Sequence, residues 1–330
     1  MMKLSTMRKV VETVNEEWRS PFAEEILERW GYDKGSVYYF RSSANFVFIF
    51  KKEGVTHFLR FNESSEREKQ WMEAEIEILL YLQGTPVKVV KPVKSRNQQF
   101  IESIHADNGE YFAVVFEGLP GKQYEIEDLS QDQYVEWGRA LGQLHQSLQT
   151  LPEHLNELRP HWLKQLSQVK KQLPQAETAA LKELEQIIKW AKTIQIPEKQ
   201  IGMIHFDFEL DNLRWDGGTI GILDFDDCSI HWYGADILFA LRDVMGNGVN
   251  MENPCVRQFL LGYTSVTEID SALWKDAAWF KRVHNILSFT RLYRAVDIDI
   301  SENDPNWLID LSHRLTNLLD NYRRMFTSQS

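Results

Sequence analysis

Ile204-His205-Phe206-Asp207-Phe208-Glu209-Leu210-Asp211-Asn212, followed by Ile222-Leu223-Asp224-Phe225-Asp226, is the stretch on which the reading of this chain turns. Asp207, Asn212 and Asp224 stand at the ends of short apolar runs. Between them Leu213-Arg214-Trp215 alternates, Asp216-Gly217-Gly218 is a hairpin turn signal, and 219–223 reads as the return strand. Asp207 then begins a loop, Asn212 ends it, and Asp224 lies just beyond the second strand. A hairpin sets the start of its first strand beside the end of its second, so Asn212 and Asp224 become neighbours. Phosphoryl transfer from ATP needs such a set. One carboxylate accepts the proton of the attacking hydroxyl, while an amide oxygen and a second carboxylate hold Mg²⁺ against the phosphates. H-x-D-x-x-x-x-N alone arises by chance; the same letters before strand, turn, strand and D-F-D are far more specific.

These residues resemble the aminoglycoside phosphotransferase and choline kinase group, small-molecule kinases with a protein-kinase-like fold. The group's catalytic loop reads H-x-D-x-x-x-x-N and its metal site I-D-F/W-D/E; this chain has H-F-D-F-E-L-D-N and L-D-F-D. Asp226 stands where protein kinases have glycine. Gly234-Ala235-Asp236-Ile237-Leu238 resembles the group's G-x-x-x-x-D-L-A helix start with shortened spacing. The resemblance implies an α+β, two-lobed protein-kinase-like fold. Residues 1–117 would form a small β-rich nucleotide-binding lobe with a helical extension at its start. Residues 118–330 would form a larger, mostly helical catalytic and substrate-binding lobe. It implies ATP and Mg²⁺ as cofactors, Asp207 as catalytic base, and Asn212 and Asp224 as metal ligands. The acceptor would be a hydroxyl of a small molecule: an aminoglycoside, an amino alcohol, or a homoserine-like or sugar-like compound.

Composition sets outer bounds. The chain has 330 residues, 43% hydrophobic and 12% aromatic, enough for two lobes with a sizeable core. A net charge of −11 is the opposite of what a nucleic-acid binder carries. Two cysteines, Cys228 and Cys255, make no disulfide framework and fit a reducing cytoplasm. Charged residues break up the first apolar stretch, so no signal-peptide core is expected, and no apolar run reaches membrane-spanning length.

Along the chain, residues 5–31 read as helical with a break near Pro21. Strands are expected at 37–40, 46–51, 56–61, 99–104 and 111–116, with turns at Lys52-Glu53-Gly54 and Asp107-Asn108-Gly109. A strong amphipathic helix covers 66–82. After the linker Gly118-Leu119-Pro120-Gly121, almost everything from 130 onward is helical except the site segment.

The N-terminal half supplies candidate nucleotide contacts. Arg41-Ser42-Ser43-Ala44-Asn45 lies between two strands where a phosphate loop belongs; it has no glycine, and Ser42, Ser43 and Asn45 offer polar groups. An ordinary polar hairpin loop reads equally well. Arg60 ends a strand where the resembling kinases place a phosphate-binding lysine, and arginine can grip phosphate bidentately. Glu75 best matches the family's orienting acid, with Glu73 and Glu77 as competitors. The Glu117 C=O and the Leu119 N–H occupy the hinge where adenine would be read.

On the acceptor side, His145 and His205 read as structural, and Asp236 as the group that fixes the catalytic loop. Glu209, Asp211, Asp226 and Asp227 add carboxylates around the site. Asp297, Asp299, Glu302 and Asp304 form a further acidic run, either a solvated loop or a wall attracting a cationic, amine-bearing acceptor. A non-catalytic nucleotide-binding scaffold of the same fold is the chief alternative, permitted by the missing glycines and by Arg60. The absence of D-F-G and A-P-E counts against a protein kinase. The lack of histidine-rich ligand sets counts against a zinc hydrolase.

Overall fold

The computed structural model describes residues 1–246 and 248–329. Two helices, α1 (Leu4–Val11) and α2 (Pro21–Leu27), precede a β-rich unit. It runs β1 (Tyr38–Ser42), β2 (Phe46–Lys52), β3 (Val55–Glu63), α3 (Lys69–Leu82), β4 (Lys88–Val89), β5 (Pro92–Val93), β6 (Ile101–Ala106) and β7 (Gly109–Glu117). The antiparallel sheet has the order β1-β2-β3-β7-β5, with β6 also on β7. Strand alternation gives it two unlike faces. Phe46, Phe48, Phe50, Leu59, Phe61 and Tyr111 are buried with Ile26 and Trp30 of the leading helical region. The opposite face carries Val47 and Ile49, which pair in register with Arg60 and Phe58. From this second face Arg60 reaches Asp224 of the helical part at 3.4 Å.

The helical part follows as α4 (Gln131–Leu148), α5 (Glu153–Glu157), α6 (Trp162–Gln172) and α7 (Thr178–Ala191). Four short strands then carry the site: β8 (Ile201–Ile204), β9 (Leu213–Asp216), β10 (Thr219–Ile222) and β11 (Ser229–Trp232). They are followed by α8 (Tyr233–Ala240), α9 (Arg242–Met245), α10 (Pro254–Thr264), α11 (Ala277–Ala295) and α12 (Asn306–Ser328). Ser130 and Gln133 close a capping box at the start of α4. Gly138 lets α4 touch the backbone of α10, since a Cβ there would meet the Phe259 carbonyl at 1.8 Å. β10 pairs antiparallel with β9 and parallel with β4, which ties the site hairpin to the segment after α3.

The expectation of helix across 5–31 with a break near Pro21 needs correction: the break is a whole segment ahead of Pro21. Residues 12–20 leave the helix, and Trp18 sits at φ 61°. The Asn15 side chain accepts the N–H groups of Glu17 and Arg19 at 3.0 Å, an Asx-type turn that competes with helix. Pro21 does not interrupt a helix but starts α2, behind the N-cap Ser20.

Candidate active site

The loop after β8 is held from below by one buried carboxylate. Asp236 in α8 accepts the N–H of His205 at 2.9 Å and of Phe206 at 2.8 Å, and His145 Nε2 at 3.0 Å. Tyr263 holds the other ring nitrogen of His145 at 2.8 Å. His205 donates from Nε2 to the Leu223 carbonyl at 2.9 Å, joining the catalytic loop to the strand that ends at Asp224. Burial lowers the His205 pKa, so the ring is neutral and serves as a strut. Phe206, at φ 74°, and Asp224, at φ 60° and ψ 67°, both sit in the left-handed region. Such strain at non-glycine residues persists only where surrounding bonds impose it. Here those bonds flank the two site carboxylates.

Asn212 and Asp224 become neighbours as the hairpin requires. Leu213 pairs with Ile222, and Leu223 N–H donates to the Asn212 carbonyl at 2.9 Å. The Asn212 Nδ2 donates to the Asp207 carbonyl at 2.9 Å and to Asp207 Oδ2 at 3.0 Å. That commits the amide nitrogen and leaves Oδ1 as the free donor atom. Burial, followed by the nearby Asp226, pushes the Asp224 pKa up to about 7 against the pull of Arg60. Arg60 and Arg41 approach Asp224 only to 3.4 and 3.7 Å. An under-compensated carboxylate beside a free amide oxygen fits a hard divalent cation. Among the described residues no cluster of three or more His, Cys, Asp or Glu side chains is set to hold a metal. An Asn–Asp pair therefore leaves most of a cation's coordination sphere to water and phosphate.

Arg60 and Glu75 form a buried, two-pronged ion pair, with Nη1–Oε1 at 2.9 Å and Nη2 on Oε2. Burial pulls the guanidinium pKa down, but Glu75, Asp226 and Asp224 outweigh it and raise it. Glu75 is thus the partner among the three candidate glutamates; Glu73 reaches Lys69 instead, at 3.7 Å. Phe116 lies under the Arg60 guanidinium at 4.9 Å.

Arg242 and Glu209 complete the floor around Asp207. Arg242 Nη1 stands 3.6 Å from Asp207 Oδ1, and Nη2 pairs with Glu209. Burial and the hydrogen bond to Asp207 push Glu209 up to about 9. Burial would also raise Asp207, but the Glu209 hydrogen bond and Arg242 outweigh it and hold Asp207 below its ordinary value. Of the two, Asp207 is the more acidic, and Glu209 keeps its proton to higher pH. Arg291 pairs with Asp227 at 2.8 Å. The carboxyl of Asp227 is well below the ordinary range because Arg291 and Arg67 overcome its burial. Arg242 and Arg291 carry no motif in the sequence.

The cleft, of about 250 Å³, is lined by Asp207, Asn212, Asp224, Arg41, Ser43 and Arg242 together with further carboxylates. The structure brings Ser43 to it, and Arg60 lies just behind Asp224. Ser42 and Asn45 point elsewhere: the Ser42 hydroxyl is buried without a partner, and Asn45 donates to Asp226 at 3.0 Å. At the hinge, Glu117 N–H donates to Lys91 and Gly118 N–H to Thr56, both at 2.9 Å. The Leu119 side chain lies against Gly221, where a Cβ would meet its Cδ1 at 2.8 Å. Lys122 and Trp215 exchange backbone hydrogen bonds at 2.9 and 2.8 Å. Gly121, at φ 113°, permits this approach, since a Cβ would meet the Trp215 carbonyl at 2.5 Å. The run from Asp297 to Asp304 is neither a free loop nor a cleft wall at its two ends. Asp297 accepts Ser5 N–H at 3.0 Å, and Asp304 pairs with Arg8 at 2.7 Å, so both anchor α1.

The Asp207–Asn212 contact, the neighbouring Asp224 and the buried Arg60–Glu75 pair thus meet around one cleft on an α+β fold. Residues 40–268 match the model of the phosphotransferase enzyme family, APH. Amicoumacin kinase from Bacillus subtilis (strain 168) is 24% identical over 305 residues, covering 89% of this chain and 90% of that protein. A solved structure of amicoumacin kinase hAmiN in complex with AMP-PNP, Ca²⁺ and Ami superposes with a TM-score of 0.78 at 20% identity, covering 98% and 96% of the two chains. A microcompartment-associated aminopropanol kinase gives 0.68 at 17% identity, covering 93% and 96%. Spectinomycin phosphotransferase APH(9)-Ia, in complex with ADP and spectinomycin, gives 0.61 at 13% with the same coverage. At these identities the structural likeness speaks for the fold. The chain belongs to the phosphotransferase enzyme family, small-molecule kinases with a protein-kinase-like fold. Among the described residues no helix is long and apolar enough to cross a membrane.

Proposed function

We propose that this protein transfers the γ-phosphoryl group of ATP, with Mg²⁺, to a hydroxyl of a small molecule. The observation that carries the reading is the Asn212 amide, which holds Asp207 with its nitrogen and leaves its oxygen free beside Asp224. A scaffold has no use for that division of labour. Asp207 Oδ2 accepts from Asn212, so in this reading Oδ1, which Arg242 approaches to 3.6 Å, takes the acceptor hydroxyl. The hydroxyl oxygen attacks phosphorus, its proton passes to Asp207, and the bond to the departing ADP oxygen breaks. Asn212 and Asp224 would hold Mg²⁺, which would neutralise charge on the phosphates. Arg60, oriented by Glu75, and the turn at Ser43 face the phosphate side. The hinge at Glu117 and Leu119 reads adenine, and Val47, Ile49 and Phe58 form an apolar roof above it. In this reading residues 1–117 are the nucleotide lobe and 118–330 the catalytic lobe.

The acceptor is cationic or amine-bearing. The support is the cleft lining, where Asp207, Asp211, Asp224, Asp226 and Asp227 stand with Arg41 and Arg242, while Glu209, its pKa pushed up to about 9, adds little charge. Arg67 and Arg291 behind the wall compensate part of that charge. An aminopropanol kinase among the structural relatives is in keeping with an amino alcohol. The test is a screen of hydroxylated amines, sugars and aminoglycosides for acceptor-dependent ADP release. One compound should stimulate release, with a KM that rises with ionic strength as screening sets in within roughly 10 Å at 0.1 M salt. A best acceptor that is neutral or anionic, with a flat salt response, contradicts the cationic preference. No stimulation by any compound, alongside intact nucleotide binding, favours the scaffold.

A further inference from the structure

Asp226 lies two residues after Asp224, at the edge of the cleft, and is buried. Its oxygens are taken up from three separate parts of the chain. Asn45, in the β1–β2 turn, donates Nδ2 to Oδ2 at 3.0 Å. Arg67, just ahead of α3, pairs with Oδ1 and donates to the Asp226 carbonyl at 3.0 Å. Arg159, just ahead of α6, donates to that same carbonyl, to Cys228 O at 2.8 Å, to Phe225 O at 3.3 Å and to Trp71 O at 3.1 Å. Buried charge-assisted bonds of this kind are strong and directional. The β1–β2 turn is gripped from its other sides too. Asn62 donates to the Ala44 carbonyl at 2.8 Å, and Met2 N–H to the Ser43 carbonyl at 2.8 Å.

A phosphate loop rich in glycine owes its shape to backbone freedom. Residues 41–45 contain none, and the bonds above supply the constraint instead. We infer that Asp226 is a positioning residue, a latch that fastens the phosphate turn through Asn45, and the head of α3 through Arg67, to the loop that carries Asp224. The turn then meets the nucleotide phosphates already set against the metal side, with little reorganisation on binding. With Arg67 compensating its charge, Asp226 has no need of a metal ion. The inference rests on the Mg²⁺·ATP reading for its purpose, not for its geometry.

Two measurements test it. In the nucleotide-free protein, Asp226→Asn and Asn45→Ala should each speed hydrogen exchange of the turn amides at 42–46 about tenfold, the weight of one hydrogen bond to a charged group. Unchanged exchange overturns the latch. Calorimetric binding of Mg²⁺·ATP and of adenosine then tests positioning. Asn45→Ala should weaken Mg²⁺·ATP about tenfold in the wild-type background and less than threefold in Asp226→Asn, with adenosine affinity unchanged in all variants. Equal loss in both backgrounds means that Asn45 acts on the phosphates without Asp226, and overturns the inference. If the wild type fails to bind Mg²⁺·ATP while turn exchange still responds, the nucleotide reading falls. The latch is then a fold element, and its positioning role falls with it.

Discussion

The two walls of the cleft are held by different physics. The wall from His205 to Asp236, which carries the proposed base, is braced from below by hydrogen bonds to backbone: Asp236 to two N–H groups, His205 to the Leu223 carbonyl, Asn212 to Asp207, with Arg242 and Arg291 paired to Glu209 and Asp227 on its cleft side. The wall that meets the phosphates in the proposed reading is braced by side-chain pairs: Arg60 to Glu75 within the sheet-and-helix unit, and Arg67 and Asn45 to the distant Asp226. Hydrogen bonds to backbone fix a geometry that the solvent hardly modulates. Side-chain ion pairs leave a wall whose grip depends on its charges, which suits the side that meets a polyanion. Damage to the first wall should therefore appear as lost stability, and damage to the second as lost nucleotide affinity on top of the stability lost when a buried charge is left unpaired.

Asp236→Ala should give the largest effect. It strands two buried N–H groups and His145, and should cost about 3 kcal/mol of unfolding free energy in a denaturant titration. A loss below roughly 0.5 kcal/mol, the level of a neutral surface change, would break the contrast. Arg60→Ala comes next. It should weaken ATP by a factor on the order of 10 to 100 and adenosine much less, because only the phosphates meet the guanidinium. Equal losses would make Arg60 a purely structural partner of Glu75. Arg60→Lys, which keeps the charge, should recover part of the ATP affinity.

The smallest effect is a pH slope. Glu209 has its folded pKa raised to about 9 by burial and by Asp207. The folded state therefore holds a proton that the unfolded chain releases above pH ~4.3. The stabilisation is fully present below that pH and is lost as pH rises through about 9. Asp224, raised to about 7, adds a decline of the same sign in metal-free protein. Glu209→Gln should flatten the decline between pH 7 and 9 as read by thermal unfolding. An unchanged slope would mean that Glu209 is ionised in the folded protein.

The contrast between the walls also governs what sequence reading could reach. Asp207, Asn212, Asp224 and Asp236 lie on one short segment whose turn and strand signals place them, so their juxtaposition follows from local pattern. The Arg60–Glu75 pair was within reach because one strand and one helix carry it. The partners across longer separations left no signal. Arg242, Arg67, Arg159 and Arg291 are single arginines among many. Asn45 meets Asp226 across 181 positions and Arg67 meets it across 159. The acidic run after α11 carried only composition. Its ends serve α1 through Asp297 and Asp304, nearly the whole chain away. The non-helical segment 12–20 was missed because the apolar spacing runs on while Asn15 closes a local turn.

The most direct test of the central claim is acceptor-dependent ADP release by Asp207→Asn beside the wild type, with ATP affinity measured on the same preparations. The account predicts unchanged ATP binding and turnover lower by a factor on the order of 10² to 10⁴, the weight of a general base, since the isosteric amide takes up no proton. Equal turnover in the two proteins would contradict it, and with it the assignment of Asp207 as the base.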